Sequence, residues 1–243
     1  MNIYSNPDLY DAIHKDSNFD INLLKKVASS ISGSVLELAS GTGRLAKCIL
    51  DLGLDYNGLE QSRQFLEVAN KKYNNQAQFF LGDMCNFKLK MEFHFIFIGF
   101  NSFLHNLTKV DAKKCLKCVN EHLEKNGKFL VSIFVPDPSF LYRDINTLHP
   151  ATSFFNYENS QCRILESNKY DEESQINRLT WYLEKNNRIM ADKYYFSMRM
   201  YYPHEMDILL ADSGFSIEEK IGDYDGSPMD SESGMQIYIC GKD

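Results

Sequence analysis

Short apolar runs alternate with longer amphipathic stretches over the first 135 residues of the chain. Apolar side chains recur every three or four positions in the longer stretches, and they alternate or run continuously in the short ones, so helices and strands are predicted in turn. This order is typical of βαβ units around a parallel sheet, and we predict an α/β domain. The predicted strands are 34–38, 55–60, 77–81, 93–98 and 127–135, and the predicted helices are 21–30, 44–52, a segment through 65–69, and 111–125.

The strand Phe93 to Ile98 is a continuous apolar run apart from His94. A strand without polar alternation is expected to be covered on both faces, which places this one in the middle of the sheet. Ahead of the first predicted helix, Asp20 is expected to act as its N-cap, and Gly33 is expected to end the segment.

The pattern changes to a period of two residues between Cys162 and Tyr202, which predicts antiparallel strands. Asn186 and Asn187 separate two such runs and suit a tight hairpin turn, because asparagine tolerates a positive φ. Pro203 suits the first turn of a further helix, which two strands follow, at 215–221 and 235–240. We therefore predict an α/β domain formed by residues 1–139 and 203–243, and an inserted antiparallel sheet at 140–202 that covers an acceptor or contacts a second copy.

Composition narrows the class of protein. The chain has 243 residues, of which 44% are hydrophobic and 24% are charged, as is usual for a globular protein. No apolar run approaches the length of a membrane span, and the net charge of −7 opposes attraction to a phosphate backbone. The first residues lack a basic leader and an apolar signal core, and the six cysteines show no framework spacing. We expect a cytoplasmic protein with free thiols that binds neither membrane nor nucleic acid.

A loop of small residues follows the first predicted strand, within residues 35–46. Glycine lets the backbone approach a ligand closely, and the free amides at the start of the following helix favour an electronegative group. Gly41, Gly43 and Ala46 also match the dinucleotide fingerprint, so a nicotinamide oxidoreductase is an alternative at this point.

Acidic residues stand at the ends of successive predicted strands. Glu37 would repel a pyrophosphate and favours a ligand that carries positive charge. Glu60 stands where a carboxylate can accept both hydroxyls of a ribose. Asp83 could accept a hydrogen bond from an adenine amino group while Met84 packs against the ring. Together these residues favour an adenosine ligand with a cationic centre.

These motifs resemble those of the class I S-adenosylmethionine-dependent methyltransferases. Residues 37–43 resemble the first motif of that family, Glu60 its acidic ribose anchor and 82–84 its adenine motif, with Ala39 in place of a common glycine. The resemblance implies a Rossmann-like, seven-stranded, mostly parallel sheet with helices on both faces. It also implies that S-adenosylmethionine is the methyl donor and S-adenosylhomocysteine the product. The implied donor-binding residues are Tyr4, Glu37, Ala39, Ser40, Gly41, Gly43, Glu60, Gln61, Gly82, Asp83, Met84 and Phe100.

The sequence signals for the methyl acceptor are less specific than those for the donor. In this family the segment after the fourth strand, 99–105 here, leads towards the acceptor, so His105 is a candidate general base and Asn101 a candidate for orienting the acceptor. Tyr10, with Tyr4, belongs to an N-terminal segment that in related enzymes closes over the donor. Each of these residues also has an alternative role in packing.

The resemblance implies methyl transfer to a nitrogen, or with less support an oxygen, of a small metabolite. The inserted sheet and the helix from Pro203 resemble the branch that includes aminosugar N,N-dimethyltransferases, and pairing of two copies is a further expectation. The segment 99–105 lacks the Asn-Pro-Pro-aromatic and Pro-Cys sequences of nucleic-acid methyltransferases, and no metal-ligand spacing occurs, so no metal is predicted. A nicotinamide oxidoreductase and a non-catalytic module that binds the donor remain the alternatives.

Overall fold

The computed structural model describes residues 1–243, which form two units. The larger unit comprises residues 18–135 and 201–243, and the smaller comprises 1–17 and 136–200. In chain order the strands are β1 Ser34–Leu38, β2 Asp55–Glu60, β3 Gln78–Leu81, β4 Phe93–Ile98, β5 Leu123–Phe134, β6 His149–Pro150, β7 Phe155–Tyr157, β8 Ser160–Asp171, β9 Ile176–Lys185, β10 Arg188–Arg199, β11 Phe215–Ile221 and β12 Met235–Lys242. The α-helices are α1 Pro7–His14, α2 Ile21–Ala28, α3 Ala46–Leu50, α4 Arg63–Tyr73, α5 Lys109–His122, α6 Pro138–Leu141 and α7 Pro203–Asp212.

The larger unit is built on a seven-stranded sheet with the order β11-β12-β5-β4-β1-β2-β3. Strands β1 to β5 are parallel, and β12 runs antiparallel to both β5 and β11. The apolar strand β4 lies between β5 and β1, which confirms its predicted central place. The order reverses between β1 and β4, since the chain proceeds from β1 to one side of the sheet and returns through β4 to the other. Open α/β sheets bind ligands at such a reversal, beyond the carboxyl ends of the strands.

Local capping explains where several helices begin. The Ser62 hydroxyl accepts from the amide of Phe65 at 3.4 Å at the start of α4, and Thr108 caps α5 in the same way. Pro203 occupies the first turn of α7, as predicted. Helix α3 is shorter than the predicted 44–52, because residues 41–45 form turns that continue the glycine-rich loop.

Asp20 occupies the N-cap position of α2, as predicted, but its side chain makes no capping hydrogen bond. Its carboxylate pairs instead with the guanidinium of Arg44, which donates through Nη1 at 2.9 Å and through Nη2. An arginine offers a planar fork of charged donors, and this bidentate pair is a stronger competitor for the carboxylate than a single backbone amide.

The smaller unit contains the antiparallel sheet that the two-residue period predicts, with the order β10-β9-β8-β6 and with β7 paired to β8. Asn186 and Asn187, with φ values of 50° and 61°, form the two-residue turn between β9 and β10, as predicted. The first seventeen residues also belong to this unit, whereas the sequence pattern groups them with the α/β domain. Ile3 and Leu9 are buried there against Cys162 and Ile164, a contact between distant segments that no local pattern reveals.

None of the helices in the structure is both long and apolar enough to cross a membrane.

Candidate active site

The glycine-rich loop lies at the carboxyl end of β1, with three residues in the left-handed region. Ala39, Gly41 and Gly43 have φ values of 55°, 59° and 76°. A Cβ on Gly43 would lie 2.8 Å from the ring of Tyr73, whose hydroxyl donates to the Gly43 carbonyl at 2.7 Å. Gly43 is therefore required both by its backbone conformation and by the close approach of this ring. Ala39 adopts the same conformation at the position where the family often has glycine.

Two neighbouring loop residues differ in what surrounds them. A Cβ on Gly41 would meet nothing closer than the ring of Phe65, at 3.8 Å, so the space beside this residue is open. The Ser40 hydroxyl is buried without a hydrogen-bond partner, and it packs over Gly58, where a Cβ would lie 2.6 Å from the oxygen. Ser40 thus contributes to the loop through its backbone, with its amide bonded to the carbonyl of Leu59 at 3.0 Å.

Glu60 ends β2 with its carboxylate beside the loop. One carboxylate oxygen accepts from the amide of Gly41 at 2.8 Å, and the other accepts from the amide of Ser62 at 2.6 Å. Burial raises the pKa of this carboxyl group, and the backbone amides partly offset that effect. A carboxylate offers about four lone-pair sites, and the backbone amide of Gln61 also interacts with this one, so capacity remains for a further donor such as a ribose hydroxyl. The next residue, Gln61, is exposed.

Glu37 is buried on β1 and accepts a hydrogen bond from the hydroxyl of Tyr56. Burial raises the pKa of Glu37 to about 8, while the Tyr56 hydrogen bond and the Arg44 charge act in the opposite direction. Asp20 and Glu60 are close enough to raise it further. The site therefore concentrates acidic groups, and its nearest guanidinium is already paired with Asp20. Because Glu37 holds its proton below about pH 8, a ligand with positive charge would favour its ionisation, whereas a pyrophosphate would oppose it.

The segment after β3 is held against Glu60 by its backbone. The amide of Gly82 donates to the Glu60 carbonyl at 3.0 Å. Asp83 is exposed, and its carboxylate accepts from the amide of Cys85 at 2.8 Å, which leaves acceptor capacity for a ligand. The sulfur of Met84 lies 4.0 Å from the side-chain nitrogen of Asn106.

The end of β4 has an unusual backbone. Phe100 and Asn101 are both left-handed, with φ values of 53° and 64°. The Asn101 side-chain oxygen accepts from the amide of Phe134 at 2.8 Å, and its own amide donates to the carbonyl of Ser132 at 3.2 Å. These bonds fasten the end of β4 to β5, so the visible role of the Asn101 side chain is structural. His105 ends a short 3-10 helix at 102–105 and is half-buried.

The two N-terminal tyrosines lie in the smaller unit. Tyr4 packs with Tyr10 at 6.1 Å between ring centroids and with Phe196 at 6.4 Å. Tyr10 also contacts the imidazole of His14 at 4.4 Å. Their contacts within this unit are those of aromatic packing, and their predicted part in donor binding and catalysis stays a prediction.

The other predicted site residues all belong to the larger unit, at the ends of β1, β2, β3 and β4. Sequence reasoning missed the side chains that support them, namely Asp20, Tyr56 and Tyr73. Of the residues involved in these contacts, only Arg44 could have been found from the sequence, because it directly follows Gly43, the last glycine of the loop. No group of three or more His, Cys, Asp or Glu side chains is placed to hold a metal ion, and independence from metal stays a prediction.

Comparison with known proteins agrees with this geometry. Residues 35–127 match the model of a methyltransferase domain. An uncharacterized methyltransferase of Staphylococcus carnosus is 23% identical over 134 residues, which are 55% of this chain and 63% of that protein. The chain thus matches less than two thirds of the length of this curated relative.

Solved structures extend the likeness to the whole chain. The CcbJ methyltransferase of Streptomyces caelestis superposes with a TM-score of 0.82 and 21% identity, over 99% of this chain and 98% of that one. CalS10 of Micromonospora echinaspora, an amino pentose methyltransferase solved with S-adenosylmethionine bound, gives a TM-score of 0.73 and 14% identity over 97% of each chain. The predicted fold and family resemblance are confirmed: residues 35–127 match a methyltransferase domain, and the chain shares its fold with solved methyltransferases.

Proposed function

We propose that this chain, which carries a methyltransferase domain at residues 35–127, moves a methyl group from S-adenosylmethionine to a nitrogen of a small metabolite in the cytoplasm. Oxygen is the less favoured acceptor atom, and S-adenosylhomocysteine is the product. The observation that carries the proposal is Glu60, whose carboxylate ends β2 beside the open face of Gly41 and keeps acceptor capacity for a ribose hydroxyl.

The donor site is assigned to residues of the larger unit. Glu60 would hold the ribose, Asp83 and Met84 the adenine, and the backbone of 39–43 the methionine part of the donor. Glu37 holds its proton below about pH 8, and the sulfonium and ammonium charges of the donor would favour loss of that proton and pairing with the resulting carboxylate. A pyrophosphate would keep Glu37 protonated and gain no such pairing, which disfavours a nicotinamide dinucleotide, the principal alternative.

S-adenosylmethionine supplies, when bound, a methyl group already activated by the positive sulfur. The protein then mainly orients the two reactants and excludes water. An amine acceptor needs only to lose a proton, whereas a hydroxyl benefits from a base, the role proposed for His105. Asn101, through its bonds to β5, holds the segment that carries His105.

An amino sugar is supported as the acceptor by the reactivity of its nitrogen and by the likeness to one solved structure. CalS10 is described as an amino pentose methyltransferase, and an amino sugar offers a nitrogen that requires no strong base. We assign acceptor recognition to the inserted sheet at 140–202 and propose that this sheet also pairs two copies of the chain. Nucleic acid is a poor acceptor for a chain with a net charge of −7.

Isothermal titration with S-adenosylmethionine, S-adenosylhomocysteine and NAD tests the donor. Binding of both sulfur compounds without NAD is expected, and binding of NAD alone would overturn the proposal. A panel of amino sugars and their hydroxyl analogues, with S-adenosylhomocysteine release as the readout, then tests the acceptor. Release with amines in the panel supports the proposed class. Release with hydroxyl acceptors alone contradicts it, and donor binding without turnover on any acceptor favours the non-catalytic module.

A further inference from the structure

Phe100 holds a strained conformation at the end of β4. Its φ of 53° is uncommon for any residue other than glycine and is a clear outlier for a bulky aromatic one. Such a residue persists only where its surroundings determine it, and strain of this kind collects at ligand sites. The neighbours that hold Phe100 therefore bear on the donor site.

The first neighbour is the guanidinium of Arg44, which lies 5.0 Å from the centroid of the Phe100 ring. Arg44 directly follows the last glycine of the loop after β1, whereas Phe100 lies two residues beyond the end of β4. Because β1 and β4 flank the reversal of strand order, this cation–π contact joins the two loops that border the expected donor crevice.

Asp20 fixes the guanidinium in turn. Asp20 is 5% exposed, and its carboxylate accepts both arginine donors of a bidentate pair. The side chain of Arg44 is 22% exposed, so the pair is shielded from water more than a surface ion pair is. The preceding residue, Phe19, stacks on Phe100 at 5.7 Å between centroids with an angle of 23° between the rings. Phe19 therefore contacts Phe100 directly, and Asp20 contacts it indirectly through Arg44.

We infer that Asp20 is a positioning residue for the methyl donor, acting through Arg44 to hold the glycine-rich loop and Phe100 in their binding arrangement. Asp20 need not touch the donor. This inference rests on the proposed function, since it concerns the affinity of the same site for S-adenosylmethionine and its product.

The test compares S-adenosylhomocysteine binding in Asp20→Asn, Arg44→Met and the double variant by isothermal titration. Each single variant is expected to bind about tenfold more weakly than the wild-type protein, as loss of a bidentate charged pair implies. The double variant is expected to bind no more weakly than Arg44→Met, because Asp20 acts through Arg44 and the effects do not add. Arg44→Lys keeps the charge without the fork, and an intermediate affinity is expected.

Asp51→Asn is the matched control. It removes a carboxylate paired with Lys47 on α3, in an exposed pair at 2.7 Å, and unchanged affinity is expected. Thermal unfolding of each ligand-free variant separates stability from binding. Lower unfolding temperatures with unchanged affinity at 15 °C would mean a purely structural pair and overturn the inference, as would additive losses in the double variant. A wild-type protein that binds no S-adenosylhomocysteine would overturn the proposed function itself, whereas wild-type binding with unaffected variants overturns this inference alone.

Discussion

Replacement of Glu37 by glutamine should change how the stability of the protein depends on pH. Glu37 is 6% exposed, and burial raises its pKa from 4.5 to about 8. Between these values the folded state keeps a proton that the unfolded state has released. The stabilisation is therefore fully present below pH 4.5 and is lost as the pH rises through about 8.

The size of the effect follows from the two pKa values. Each pH unit between them corresponds to 1.36 kcal/mol, so deprotonation of Glu37 can lower the free energy of unfolding by at most about 5 kcal/mol. Glutamine has nearly the same shape, keeps an oxygen to accept from Tyr56 and does not titrate. The variant should gain stability relative to the wild-type protein as the pH rises.

Urea unfolding at about pH 5, 6, 7 and 8, followed by far-ultraviolet circular dichroism, measures this difference. The single tryptophan, Trp181, belongs to the smaller unit, so its fluorescence is unsuitable for this measurement. Asp51→Asn is the control, because hydrogen bonding to Lys47 lowers the pKa of that exposed carboxyl group and keeps it ionised over the whole range. A stability difference between Glu37→Gln and the wild-type protein that does not vary with pH would refute the reasoning.

Three further substitutions test other parts of the structure. Glu60→Ala should weaken S-adenosylhomocysteine binding by roughly 1.5–3 kcal/mol in a titration, and an unchanged affinity in a folded variant would remove this residue from the donor site. Gly43→Ala should lower the free energy of urea unfolding more than Gly53→Ala, which has the same φ of 76° but nothing within 4 Å of its Cβ; equal losses would discount the close ring contact. Leu9→Ala should destabilise the smaller unit by about 2–5 kcal/mol, seen in the fluorescence of Trp181, and an unchanged transition would contradict the burial of α1.

The local pattern of apolar and polar residues was sufficient to predict the strands and helices and their order along the chain. The continuous apolar run of β4 indicated a strand covered on both faces, and the two asparagines at 186–187 indicated a hairpin because a two-residue turn demands positive φ. Motif spacing then located the ends of β1, β2 and β3, since residues that follow parallel strands collect at one edge of the sheet.

The local pattern could not predict which distant side chains pair with one another. Asp20 has the residue type and position of an N-cap, yet its carboxylate binds Arg44, because folding brings a bidentate donor within reach. The first seventeen residues show the same limit, since Ile3 and Leu9 share a buried cluster with Cys162 and Ile164, more than 150 positions away in the chain.

The sequence by itself determined the alternation of strands and helices, the positions of the strand-end motifs and the kind of charge they carry, because these depend on periodicity and on residue type. Only the tertiary structure decided that Glu37 is buried against Tyr56, that Asp20 serves Arg44, and that Phe100 is held in a strained conformation. Burial and bidentate pairing depend on which distant groups meet in space, and the energies that shift a pKa or hold a strained residue arise from that meeting.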